Sequence, residues 1–136
     1  LFKGYSIERK KQKGISVFCF WEKGIDSHVW KGWKEGMNKV FICSPYRGDV
    51  ENNRKKAAEY SRLAYDSGCL PVAPHLLFPQ FLDEDDPKER AAGIAMGLEL
   101  LLDCDEVWVF GKATEGMEQE IRFAVEHGKH VWFKEL

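Results

Sequence analysis

The residue types able to do chemistry in this chain gather in two glycine-bearing segments. Ser44-Pro45-Tyr46-Arg47-Gly48 carries a hydroxyl, a phenol and a guanidinium ahead of a glycine. Gly111-Lys112-Ala113-Thr114-Glu115-Gly116-Met117 carries a second hydroxyl between two glycines. Each runs into a segment of helical pattern, and a helix amino-terminus offers unpaired N–H groups and the positive end of its dipole to an anion. Ser44 and Thr114 add hydroxyl donors, Arg47 a permanent positive fork, and Gly48 and Gly116 let backbone approach a ligand closely. A phosphate or a cluster of sugar hydroxyls suits such a place. Each residue also has a plainer use: Ser44 and Thr114 as turn caps, Arg47 as partner of a surface carboxylate.

Glu120 is the sharpest single residue. It follows Gly116 by four positions and, at about 100° per residue, falls beside Ala124 on the margin of an apolar stripe. A carboxylate there is expected to be partly shielded, yet held ionised by the helix amino-terminus. That suits a nucleophile or an anchor for sugar hydroxyls. The plainer use, complementing the dipole, is expected of Glu115 and Glu118. His75 lies just past an expected strand and can bond a ligand, move a proton, or serve only its own loop. His28, His127 and His130 lack metal-ligand spacing, and the Asp83–Asp86 run lacks the oxygen density and loop glycine of a calcium site. No metal and no organic cofactor is expected.

These residues need a scaffold, and from Lys39 onward the punctuation supplies one. Val40–Cys43 is a short apolar run stopped by Ser44–Gly48, as a buried strand followed by a loop would be. Asp49 to Ser67 has helical character and ends at Gly68. Leu70–Ala73 is a shorter strand whose neighbouring prolines suggest a sheet edge. Pro74 to Lys88 is expected as a loop. Ala91, Ile94, Ala95, Leu98, Leu101 and Leu102 recur at helical spacing, Glu106–Phe110 is the strongest strand, and Met117, Ile121, Ala124 and Val125 make another stripe closed by Gly128. His130–Phe133 is the last strand. The alternation predicts an α/β fold, a flavodoxin- or Rossmann-like three-layer sandwich with a mainly parallel sheet of four to five strands. Strands 40–43 and 106–110 are expected as central neighbours flanking the switch point, where such sheets bind ligands. Trp108 and Trp132 are expected in the core.

Composition excludes several classes of function. Apolar residues make up 44% and charged residues 31% of 136, enough for one core and against disorder. A formal charge of −2 gives no basic field for nucleic acid, and the Arg9–Lys13 cluster has no aromatic interleaving. No apolar run reaches bilayer length and no leader pattern is evident, so a cytoplasmic setting is expected, with no membrane partner. Cys19, Cys43, Cys69 and Cys104 are too dispersed for a metal or disulfide frame. Residues 1–38 stand outside the alternation. They hold Trp21, Trp30 and Trp33 and are expected as an extension: an added strand or hairpin arm at 15–21, a cover for the sheet or a subunit contact, or a stretch preceding a native start at Met37. Residues 39–136 form the domain proper.

Three segments in order carry a family resemblance: Lys39–Gly48, Cys104–Gly111, and Glu115–Ile121 with Ala124. Over about 39–133 the chain resembles the nucleoside 2-deoxyribosyltransferase-like superfamily, nearest to an uncharacterised branch, the 4406 type of domain of unknown function. The resemblance extends to the 2′-deoxynucleoside 5′-phosphate N-hydrolases. It implies cleavage of a base–sugar bond by a glutamate in a Gly-x-x-x-Glu-(Leu/Ile)-x-x-Ala segment, which places the nucleophile at Glu120. It also implies a phosphate cradle at Ser44, Arg47, Gly48 and Thr114, with Gly116 and Met117 beside it, and a homodimer or higher oligomer. Tyr46 is placed to stack on sugar or base. Two departures stand out: the family's catalytic aspartate falls at Gly97, and a usual glycine is Arg122. Losing a general acid forfeits about a hundredfold, so His75, Asp85 or Asp86 would have to substitute. The expected function is therefore an N-glycosidase or N-(deoxy)ribosyl transferase on a small nucleotide or nucleoside. The alternative is a ligand sensor or sequestering module without turnover.

Overall fold

The structure, a computed structural model, describes residues 36–136. The arm expected at 15–21 and the covering roles of Trp30 and Trp33 lie outside the described residues. Strand β1 is Lys39–Cys43, helix α1 Val50–Asp66, strand β2 Leu70–Val72, helix α2 Pro74–Leu77, helix α3 Pro87–Leu102, strand β3 Glu106–Phe110, helix α4 Glu115–Glu126 and strand β4 His130–Lys134. All the strand pairings are parallel, in the order β2-β1-β3-β4, so β1 and β3 are the central neighbours. The chain leaves β1 toward one edge and β3 toward the other, which puts the switch point between them. This is the α/β layered fold that the alternation predicts.

Strand alternation builds two cores. Phe41, Cys43, Val107 and Val109 face one side and meet Leu101, Met117 and Ala124 of α3 and α4. Val40, Ile42, Trp108 and Phe110 face the other and meet Tyr60 and Ala64 of α1, with Tyr60 stacked on Phe110 at 4.0 Å between ring centroids. Because both faces are covered, β1 and β3 read as unbroken apolar runs. Pro71 costs little at the edge, where β2 pairs only with β1. The starts of the central strands are tied by Lys39 N–H, which donates to Asp105 Oδ2 at 2.7 Å. Lys129 Nζ closes the end of α3, donating to Leu102 and Cys104 carbonyls at 2.7 and 2.8 Å.

Three expectations are corrected. The segment expected as a loop from Pro74 contains α2 and then a 3-10 turn at Phe78–Gln80; Pro74 sits at the first helical position, where its missing N–H costs nothing. On α3, Ala91, Ile94 and Ala95 are exposed while Gly97 and Leu101 are buried. That helix is apolar or small nearly all round, so its apolar spacing does not identify the inward side. Trp132 is 46% exposed rather than a core residue. It sits on the outermost strand beside Trp108, where its indole N–H donates to Glu106 Oε2 at 3.0 Å and Trp108 donates to Oε1 at 3.0 Å.

Candidate functional site

The loops leaving β1 and β3 come together at the carboxyl edge of the sheet. Gly111, the first residue after β3, has φ +74°, and a β-carbon there would stand 3.5 Å from Pro45 Cδ. The two turns are therefore in contact, with glycine serving both the backbone angle and the close approach. A cavity of about 300 Å³ opens beside them. Its wall takes Ser44, Tyr46 and Arg47 from the first loop, Thr114, Glu115, Gly116, Met117 and Glu120 from the second loop and α4, and His75 from α2. Gly48 does not line it. With φ +93° that glycine serves the turn into α1, and Asn53 of α1 pins the same turn by donating to the Tyr46 and Arg47 carbonyls at 3.0 and 3.1 Å.

Ser44 is buried, and its Oγ lies 2.9 Å from His75 Nε2. Burial pushes the imidazole down to about 4, so at neutral pH the ring is uncharged and carries one N–H. The pair thus fixes the serine hydroxyl without placing a positive charge beside it. Tyr46 meets the His75 ring edge-on at 6.4 Å, and burial followed by the Glu84 charge pushes its phenol up.

Glu120 faces inward between Met117, three positions before it, and Ala124, four after it, both buried on the same side of α4. Burial pushes its carboxyl up to about 7, partly offset by the Cys43 thiol beside it. The fully ionised state expected from the helix amino-terminus is therefore corrected: burial leaves the group about half ionised near neutrality. Cys43, at the end of β1, is held as a thiol by burial and by that neighbouring carboxyl. Thr114 caps α4, its Oγ1 accepting from Met117 N–H at 3.3 Å, and its own hydroxyl proton remains to donate.

Asp85 and Asp86 lie exposed, outside the cavity wall; Asp86 caps α3 by accepting from Lys88 N–H at 2.8 Å. The acids and bases that do enter from that side are Glu84 and Arg90. Sequence reasoning passed over both, since a loop acid and a first-turn arginine carry no period. Gly97 lines the cavity where the resemblance places an aspartate, and a β-carbon there would touch Pro74 at 3.7 Å. Among the described residues no group of three or more His, Cys, Asp or Glu side chains is placed to hold a metal, and no helix is long and apolar enough to cross a membrane.

Comparison with known proteins gives a family and a fold. Residues 38–134 match the family described as Domain of unknown function (DUF7768), not the 4406 type expected. No curated protein matches. Among solved structures, the 2-deoxyribosyltransferase from the psychrotolerant bacterium Bacillus psychrosaccharolyticus aligns with a TM-score of 0.59 at 16% identity, over 70% of each chain. At that identity the likeness is one of fold.

Proposed function

We propose, on the premise that the chain belongs to the DUF7768 family, that it cleaves the base–sugar bond of a small phosphorylated nucleoside through Glu120. The observation that carries this reading is a half-buried carboxyl facing a cavity that also holds a helix amino-terminus, a fixed serine hydroxyl and Arg47. The fold neighbour's enzyme, described as a biocatalyst for synthesis of nucleosides, supports the same chemistry.

In this mechanism the substrate phosphate rests on the free N–H groups at the start of α4, with hydroxyls from Ser44 and Thr114 and the Arg47 fork. The ionised Glu120 attacks the anomeric carbon as oxocarbenium character develops. A carbon–oxygen bond forms, the carbon–nitrogen bond breaks with its electrons going to the base, and the base takes a proton from solvent. Water, or the nitrogen of a second base, then displaces Glu120 from the anomeric carbon, losing a proton and restoring the carboxylate. His75, neutral and bonded to Ser44, orients that hydroxyl rather than supplying the proton. Gly97 in the cavity wall supports a second reading, a binding module without turnover, because no acid projects from α3 at that point.

The test is release of free base from a panel of deoxynucleoside monophosphates, followed by chromatography. Glu120→Gln is expected to reduce release by about a thousandfold or more. Tight binding with no release from any member of the panel would favour the module.

A further inference from the structure

We infer that Glu84 and Arg90 read the base of the bound nucleotide and select one with adjacent N–H donors, as on the edge of guanine. This rests on the proposed function for the ligand's class, though not on turnover.

The acids of the loop before α3 have divided duties. Asp83 Oδ1 accepts from Asp85 N–H at 2.9 Å, Glu89 accepts from Asp83 N–H, and Asp86 caps α3. These carboxylates hold the loop in shape. Glu84 instead faces the cavity, its Oε1 4.0 Å from the point where a β-carbon on Gly93 would stand. Gly93 and Gly97, four apart, leave that side of α3 bare, which makes room for the carboxylate to lie across the helix. The backbone of Glu84 is held in turn, because Arg47 Nη2 donates to its carbonyl at 3.3 Å. Arg90, three positions before Gly93, lines the same wall. Phe78, Pro79 and Ile94 supply apolar surface for the faces of a flat ring.

An acceptor-only carboxylate and a donor-only guanidinium lining one cavity form a chemical template. Guanine offers two neighbouring N–H donors to the first and the O6 and N7 acceptors to the second. Adenine offers one amino group beside an acceptor nitrogen. Thymine offers a single N–H between two carbonyls, which a carboxylate repels.

Binding tests this without requiring catalysis. The full chain carrying Glu120→Gln, which prevents turnover, is titrated calorimetrically with dGMP, dAMP, dCMP and dTMP. We expect dGMP to bind at least about tenfold more tightly than dTMP. Adding Glu84→Gln is expected to weaken dGMP about tenfold and leave dTMP unchanged, with an unaltered melting temperature as the control for folding. Equal affinities across the panel, or an equal loss for all four nucleotides, would overturn the assignment. Base release by the wild-type chain that is indifferent to Glu84→Gln would sink it while leaving the proposed chemistry standing. Selective dGMP binding with no release from any nucleotide would support it and remove the catalytic reading. Failure of all four to bind would remove both.

Discussion

Glu120 sits where two influences on a carboxyl oppose each other. As the sixth residue of α4 it feels the positive end of the helix, worth less than about 1 kcal/mol beyond the first turn. Packed between Met117 and Ala124 it also loses water, and that loss dominates, carrying the group to about 7. A carboxyl poised there is half ionised near neutrality, which gives a signed prediction. If Glu120 attacks as the carboxylate, the rate of base release rises with pH through an acid limb near 7 and then levels. If it instead donates a proton, the limb lies on the alkaline side and the rate falls above 7. Values of kcat/KM across about pH 5–9, from initial rates at substrate well below KM, separate the two. The sequence pattern was sufficient to place this residue on the inward margin of its helix. Its protonation was not legible there, because it depends on how much water the neighbouring strand and loops exclude.

At the scale of elements, α3 is the informative case. Its glycines contribute nothing to an apolar count, so the pattern weights Ala91, Ile94 and Ala95, and these residues are exposed. The inward side carries Gly97 and Leu101, set by how closely the helix must approach Pro74. Gly97 is buried and helical, and the space beside it accepts a methyl at ordinary contact distance. Gly97→Ala is therefore expected to stabilise the domain by about 0.5–1 kcal/mol, because alanine loses less backbone entropy in a helix interior. Denaturant unfolding measures this, and a destabilised variant would show that Pro74 cannot tolerate the contact. The same short-range logic explains what else was legible. Buried parallel strands are continuous apolar runs, here ended by the Ser44–Gly48 loop after β1 and by Gly111 after β3, so both stand out. The four-residue α2 is too short to show any period, and Glu84 and Arg90 reach the cavity only through tertiary placement of a loop.

For the molecule as a whole, the two perturbed groups of the cavity pull stability in opposite directions with pH. Glu120 holds its proton to about 7 when folded, against 4.5 ordinarily. Between those values the folded state binds more protons than the unfolded one, so this contribution is full below 4.5 and lost as pH rises toward 7. His75 is lowered from 6.5 to about 4, so the unfolded state binds more protons in that window. Its contribution is full above 6.5 and lost as pH falls toward 4. Each shift corresponds to roughly 3 kcal/mol, and over roughly 4.5–6.5 the slopes offset. Two burials of opposite charge type in one cavity thus leave little net pH dependence from that cavity. Single replacements uncover what the pair conceals. Glu120→Gln should make stability climb with pH across this interval, by about 2 kcal/mol, as the histidine acts alone. His75→Asn should make it fall by a similar amount, as the carboxyl acts alone. Urea midpoints at a series of pH values measure both slopes relative to the wild-type chain. Parallel curves for all three proteins would mean that neither group is as dry as the cavity walls imply.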